Sequence, residues 1–174
     1  MVNEIVGKFD GTQVRVGIVV ARFNSVVTER LEKGAVECLR QHHVTDDRIT
    51  VVRVPGAFEI PSVARKLLHD NVVDGVIGLG CVIRGETAHY DYICEAAIGG
   101  LAAIGRETGA PVTCGVLTVE DLQQALHRTG GKLGHKGVEA AQALLECCGV
   151  NTAIDEVSGL ETLEPIDGSE EIAP

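Results

Sequence analysis

Residues 72–92 have the sequence V-V-D-G-V-I-G-L-G-C-V-I-R-G-E-T-A-H-Y-D-Y, and they decide the fold of this chain. The nearly continuous apolar run over residues 72–81 predicts a strand that is covered on both faces. The Ala- and Gly-rich segment over residues 89–107 predicts a helix, with Gly85 in the preceding turn and Thr87 as its cap. A strand followed by a turn and a helix is the repeating step of an α/β sheet.

The turn in this stretch also has residues suited to chemistry. Free backbone N–H groups at a helix start attract anions, and His89 falls within the first predicted helical turn. An imidazole at that place can move protons near pH 7. A histidine taken alone is more often structural than catalytic, but an anion site beside His89 indicates chemistry on a phosphorylated small molecule.

Strands and helices alternate on both sides of this stretch. Further strands are predicted at residues 14–20, 49–54 and 111–117, and further helices at 27–42, 60–68, 120–127 and 136–148. This alternation predicts an α/β three-layer sandwich with a four-stranded parallel sheet and right-handed crossovers. Ligands of such sheets bind at the carboxyl ends of the strands. The candidate segments lie at these ends, namely residues 23–24, 56–59, 80–89 and Thr118.

The composition narrows the class of protein. The chain has 174 residues, which fits one domain, predicted at residues 1–150. It has no charge-free apolar stretch long enough to predict a membrane span, and its N-terminus lacks the apolar region of a signal peptide. The six cysteines form no C-x-x-C pair. This pattern indicates reduced thiols in a cytoplasmic protein, with neither disulfides nor a metal site.

The two ends of the chain differ in character. The formal net charge is −10, and residues 151–174 are rich in Asp and Glu without any Lys or Arg, which predicts a flexible acidic tail. The remainder has no basic face, so nucleic acid is not a predicted partner. Residues 1–10 are too apolar for a loose tail, because they include Val2, Ile5, Val6 and Phe9. They form a predicted N-terminal arm.

Six motifs, in order along residues 14–150, resemble those of the 6,7-dimethyl-8-ribityllumazine synthase family, whose fold is flavodoxin-like. They are A-R-F-N at 21–24, V-P-G-A-F-E-I-P at 54–61, the stretch at 80–92, G-V-L-T at 115–118, the segment 124–128 and the segment 132–137. The resemblance implies a transferase of riboflavin biosynthesis. Its reaction condenses 5-amino-6-(D-ribitylamino)uracil with 3,4-dihydroxy-2-butanone 4-phosphate and releases phosphate and water. No cofactor or metal is implied.

The resemblance also implies the site residues. His89 is the implied catalytic residue. The implied binding residues for the pyrimidine and its ribityl chain are Phe23, Ala57, Phe58, Glu59, Cys81, Val82, Ile83 and Cys114. The implied phosphate-binding residues are Glu86, Thr87, Arg128 and Lys136. Because a carboxylate that points at a phosphate would be repelled, we expect Glu86 to bind through its backbone N–H and its side chain to turn away, with Arg84 as a candidate partner. An exposed, passive lysine is an equal alternative for Lys136.

The implied partners include further copies of this chain. Family members form homopentamers in which the N-terminal arm adds a strand to a neighbouring subunit's sheet. The short turn T-G-G-K-L-G-H-K-G at residues 129–137 favours twelve pentamers in a hollow shell of sixty subunits. Three positions depart from the family pattern. Cys114 stands where the family often has a phenylalanine that contributes to the neighbour's pocket. Leu133 and His135 are the other two, and both lie in the turn.

Two other interpretations compete with the enzyme. One is a non-enzymatic shell protein that binds flavin or lumazine, for which Cys114 is the only feature in favour. The other is a generic flavodoxin-like phosphate-binding module, which leaves the apolar arm and the six ordered motifs unexplained.

Overall fold

A computed structural model describes residues 2–159 of the chain. The strands and helices are, in chain order, β1 (Val16–Ala21), α1 (Ser25–Gln41), β2 (Ile49–Val54), α2 (Ile60–His69), β3 (Gly75–Ile83), α3 (His89–Thr108), β4 (Val112–Val119), α4 (Leu122–His127), β5 (Thr129–Gly131), β6 (Gly134–His135) and α5 (Lys136–Ser158). Within this described part no helix combines the length and the apolar character needed to cross a membrane.

The central sheet has four parallel strands in the order β2-β1-β3-β4. The predicted α/β fold with a four-stranded parallel sheet is therefore confirmed. Strand β2 has its predicted bounds, whereas β3 begins at Gly75 rather than at residue 72. The reason is that the Val72 N–H donates to the Leu67 carbonyl at 3.0 Å and so closes the end of α2 instead of joining the sheet.

Helices cover both faces of the sheet and bury two apolar layers. Alternate residues of β1 point to opposite faces, as strand geometry requires: Val16, Ile18 and Val20 pack with α1 and α5, and Val19 packs with α2 and α3. All four are fully buried. Since both faces are apolar, β1 could be predicted from its continuous hydrophobic run.

Helix α5 is longer than predicted. It continues to Ser158, so residues 151–158 are helical and do not belong to a flexible tail that begins at residue 151. The Asn151 side chain donates to the Gly109 carbonyl at 3.0 Å and ties this extension to the end of α3. Gly159 ends the helix in the left-handed conformation. The rest of the predicted tail, residues 160–174, lies outside the described residues.

The N-terminal arm, described from residue 2 to residue 10, forms no strand within this chain. It runs beside α5, where the backbone of Gly7 approaches that of Glu146. The Phe9 ring packs edge-on against His42, with ring centroids 5.9 Å apart. Val2 and Val6 stay exposed. Addition of the arm to a neighbour's sheet stays a prediction.

A short antiparallel hairpin, β5 and β6, precedes α5 in place of a simple turn. His135 is the N-cap residue of α5, and its Nδ1 accepts from the Val138 N–H at 3.4 Å. Its ring lies against Gly34 of α1, where a Cβ would overlap the imidazole. This fit between Gly34 and His135 joins α1 to the hairpin.

Candidate active site

An open cavity of about 670 Å³ lies at the carboxyl ends of β1, β2 and β3. We refer to its lining as the cavity set, which consists of Phe23, Pro55, Gly56, Ala57, Phe58, Glu59, Cys81, Val82, Ile83, Gly85, Thr87, His89, Tyr90 and Ile93. This is where ligands of parallel sheets bind. The structure thus brings together the segments that the sequence predicted to meet.

Hydrogen bonds beyond the strand ends place Phe23 at this cavity. After β1 ends, the Arg22 N–H donates to the Val54 carbonyl at 2.8 Å and the Phe23 N–H to the Pro55 carbonyl at 3.1 Å. The pairing of β1 with β2 therefore continues to Phe23, which lines the cavity together with Phe58. Both rings are largely exposed, at 71% and 57%. They offer apolar faces on which a planar heterocycle could stack.

Glu59 is held by its own turn. Its Oε2 accepts from the Gly56 N–H at 2.9 Å, which fixes the carboxylate on the cavity wall. A carboxylate has about four lone-pair sites, so this bond leaves acceptor capacity for the hydroxyl groups of a ligand. The short helical turn Ala57–Glu59 then leads directly into α2.

The end of β3 forms another wall. Pairing with β1 stops at Leu79, whereas pairing with β4 continues to Ile83, so the β1-facing edge beyond Leu79 opens to the cavity. Asn24, in the left-handed conformation at φ 59°, donates its side-chain N–H to the Cys81 carbonyl at 2.9 Å. Burial raises the pKa of the Cys81 thiol to about 11. Cys81 is therefore a neutral wall residue at pH 7 and not a nucleophile.

His89 is the first residue of α3, and it is exposed on the cavity wall together with Thr87. The N-cap residue is Ala88, without a side-chain cap, so the prediction that Thr87 caps this helix is wrong. The uncapped turn keeps backbone N–H groups free beside His89. Such groups attract anions.

The predicted partner of the Glu86 side chain is not found within the described residues. Arg84 pairs with Asp91 at 3.2 Å and with Glu120 at 3.0 Å, so it is not the partner of Glu86. The reason is position: Asp91 and Glu120 flank Arg84 from the first turn of α3 and from the residue after β4. The backbone of Glu86 lies between the lining residues Gly85 and Thr87.

Three predicted site residues lie outside this cavity, and we call Cys114, Arg128 and Lys136 the outlying set. Cys114 pairs with Gly78 within the sheet, and burial raises the pKa of its thiol while the charge of Lys136 opposes that rise. Arg128 ends α4 and donates to the Leu133 carbonyl at 3.3 Å. Lys136 begins α5 and pairs with Glu139 at 3.2 Å.

Comparison with known proteins decides the family. The model of the family described as 6,7-dimethyl-8-ribityllumazine synthase matches residues 13–152. A relative from Pediococcus pentosaceus, named 6,7-dimethyl-8-ribityllumazine synthase, is 47% identical over 153 residues, which cover 88% of this chain and 98% of the relative. This chain belongs to the 6,7-dimethyl-8-ribityllumazine synthase family.

Membership of the lumazine synthase family confirms the predicted activity. The chain is a transferase of riboflavin biosynthesis that condenses 5-amino-6-(D-ribitylamino)uracil with 3,4-dihydroxy-2-butanone 4-phosphate. The interpretations as a binding shell without activity and as a generic phosphate module are set aside. Within residues 2–159 there is no group of three or more His, Cys, Asp or Glu residues that could hold a metal ion.

Sequence reasoning missed several lining residues of this lumazine synthase cavity. Pro55, Tyr90 and Ile93 line it but were not predicted as site residues, and Gly56 and Gly85 were predicted only as parts of candidate segments. Helical spacing could have found Ile93, because a residue four positions after His89 lies on the same helix face. Tyr90 carried no such signal, because an adjacent residue points in another direction along a helix.

Proposed function

We propose that the condensation takes place in the cavity at the carboxyl ends of β1, β2 and β3, with His89 as the proton-transfer residue. The observation that carries the proposal is that one cavity holds two exposed aromatic rings, a fixed carboxylate and an imidazole at a helix start. These groups suit the three parts of the chemistry: a planar ring, a polyhydroxy chain and proton movement.

The pyrimidine binds against Phe23, and its ribityl chain reaches Glu59. The exposed ring of Phe23 supplies a flat face for the heterocycle. The remaining acceptor sites of the Glu59 carboxylate receive ribityl O–H groups, and those charge-assisted bonds are the stronger class of hydrogen bond. The apolar parts of Ala57, Val82 and Ile83 complete the wall. Binding there holds the amine in place for attack, which lowers the barrier by orientation.

His89 moves the protons of the reaction. The amine of the pyrimidine attacks the ketone, and loss of water gives a Schiff base. Phosphate then leaves by elimination and gives an enol, which tautomerises to a new carbonyl. Ring closure of the ribitylamino nitrogen onto that carbonyl releases another water. Each step shifts protons between nitrogen, carbon and oxygen without oxidation or reduction, so we propose no cofactor. An imidazole on the cavity wall suits this shuttle.

The phosphate binds to the backbone N–H groups of Glu86 and Thr87, to the Thr87 hydroxyl, and to Arg128 and Lys136 of the outlying set. Arg128 presents a planar donor that suits a phosphate in two-pronged contact, and Lys136 adds positive charge. Because Arg128 and Lys136 do not line this chain's own cavity, we propose that a neighbouring copy supplies them together with Cys114. The complete site therefore lies between two chains.

The proposed assembly is a homopentamer, and twelve pentamers form a shell of sixty subunits. A cyclic arrangement gives every cavity one neighbour. Strand β2 is an edge of the sheet, so it can accept the N-terminal arm of a neighbour as an added strand. The free thiols of all six cysteines suit a cytoplasmic location, which we also propose.

Two measurements test these proposals. The first mixes the two purified substrates and follows lumazine absorbance with and without the protein; a rate equal to the uncatalysed rate would contradict the function. The second is sedimentation at neutral pH in phosphate buffer. We expect about 1.1 MDa for sixty chains of 18.4 kDa, while about 92 kDa would mean an isolated pentamer. An active monomer of 18.4 kDa would contradict the shared site.

A further inference from the structure

One side chain joins three elements next to the cavity. The Arg84 backbone N–H donates to the Val119 carbonyl at 2.9 Å, which continues the pairing of β3 with β4. Its guanidinium then bonds Glu120 at 3.0 Å and Asp91 at 3.2 Å. The backbone of Arg84 is thus fixed by the sheet, while its side chain holds the first turn of α3.

The same guanidinium also covers an aromatic ring of the cavity wall. The Cζ atom of Arg84 lies 4.0 Å from the centroid of the Tyr90 ring, within the range of a cation–π contact. Tyr90 lines the cavity. Arg84 therefore contacts the two residues that directly follow His89 in the helix, one through its ring and the other through its carboxylate.

The segment between Arg84 and His89 has little other support. Residues 85–89 are all exposed, a Cβ at Gly85 would meet no atom within 4 Å, and no side chain caps α3. A segment with few buried contacts opens easily. The contacts of Arg84 with Tyr90 and Asp91 thus link the end of β3 directly to this turn, in addition to the packing of Ile93 and Ala97 of α3 in the apolar core.

We propose that Arg84 is a positioning residue for His89. Its side chain touches neither the imidazole nor the substrate. It fixes the first turn of α3 and so the place of the His89 ring in the cavity. A small misplacement of a reacting group costs a large rate factor, on the order of 100-fold for about 1 Å. This inference rests on the proposed role of His89.

The test is a double-mutant cycle on the condensation rate. Arg84→Ala should lower kcat roughly 10- to 100-fold, with the KM of each substrate changed by less than about threefold. Arg84→Lys should retain part of the rate, because a single ammonium can keep one ion pair and the contact with Tyr90. In a His89→Ala background, Arg84→Ala should cost less than about threefold, because residues that act as a unit are not additive.

The matched control is Arg40→Ala. Arg40 pairs with Asp46 at 2.7 Å at the far end of α1, so it resembles Arg84 in its ion pairing but lies away from the cavity. This variant should keep its kcat within about twofold. A comparable loss in Arg40→Ala would mean that removal of any paired arginine impairs the enzyme, and it would overturn the proposal.

Other outcomes also overturn it. An equal loss of kcat from Arg84→Ala in the wild-type and His89→Ala backgrounds would show that Arg84 acts independently of His89. A higher KM for the butanone phosphate at unchanged kcat would show a direct phosphate contact. If Arg84→Ala fails to fold, Asp91→Asn and Glu120→Gln replace it, and an unchanged kcat in both would contradict the proposal. An unchanged kcat in His89→Ala would instead contradict the proposed role of His89 itself.

Discussion

The cavity set and the outlying set differ in how the chain builds them. The cavity set comes from three short segments at neighbouring strand ends, and the parallel sheet alone brings them into one cavity. The outlying set comes from β4, from the end of α4 and from the start of α5, and it does not reach that cavity. The fold of one chain therefore brings the aromatic rings, the carboxylate and the imidazole into one cavity, whereas in the function that we propose the charge for the phosphate comes from a second chain.

The largest effect is expected in the cavity set. His89→Ala should slow condensation roughly 10²- to 10⁴-fold, because a positioned proton-transfer group contributes that much. His89 is exposed, so the variant should remain folded. Steady-state lumazine formation measures the rate, corrected for the uncatalysed reaction. The control is His69→Ala. The His69 ring is exposed and pairs with the surface residue Asp70. Equal rates in the two variants would remove His89 from the mechanism.

The next effect is expected in the outlying set. Arg128→Lys should raise the KM of the butanone phosphate about tenfold and leave that of the pyrimidine nearly unchanged, because an ammonium cannot reproduce two-pronged contact. Varying each substrate at saturation of the other separates the two values. Arg40→Lys, at a paired arginine far from the cavity, should change neither. An equal rise in both KM values would contradict the assignment of Arg128 to phosphate.

A packing change at Gly34 should lower the stability of the contact between α1 and His135, the residue directly before Lys136 of the outlying set. Gly34→Ala forces a methyl group into the His135 ring, and overpacking typically costs about 1–3 kcal/mol of the free energy of unfolding. Gly99→Ala is the matched control: a Cβ there meets no atom of the described chain within 4 Å, so the better helix propensity of Ala should raise stability instead. Denaturant melts compare the two. Equal stabilisation by both would show that His135 moves aside freely.

The smallest effect is expected at Cys114. Cys114→Phe should tighten the pyrimidine about threefold to tenfold if this side chain covers the ring in a neighbour's cavity, since an aromatic pair adds roughly 0.5–1.5 kcal/mol. Direct titration with a riboflavin-like inhibitor measures the affinity. Cys147→Phe, at an exposed thiol of α5, is the control. Unchanged affinity or aggregation in Cys114→Phe would place Cys114 in structural packing.

The elements that could be predicted are those whose signal is local. Strand β2 and the buried strand β1 follow from apolar runs, and the cavity follows from strand ends that meet at one edge. The extension of α5 to Ser158 was not predicted, and the bond from Asn151 to Gly109 that ties it to α3 joins residues far apart in the chain. The hairpin before α5 likewise packs through His135 against Gly34, a contact between residues far apart in the chain.

The cavity set could be predicted from local sequence patterns to a greater degree than the outlying set. The position of His89 follows from the turn between β3 and α3, whereas no local pattern distinguishes Arg128 from other arginines near a helix end. Its assignment came from the resemblance alone. The partners of Arg84 were missed because Glu86, Asp91 and Glu120 all offer carboxylates, and only the three-dimensional arrangement selects the last two.

Subunit complementation tests the shared site most directly. His89→Ala and Arg128→Ala chains are each expected to form poorly active assemblies, and the two are unfolded together in equal amounts and refolded. If each site takes His89 from one chain and Arg128 from its neighbour, about a quarter of the mixed sites regain both residues. We therefore expect the mixture to recover about that fraction of the wild-type rate. A mixture no more active than the two variants measured separately would show that both residues act within one chain, and would contradict it.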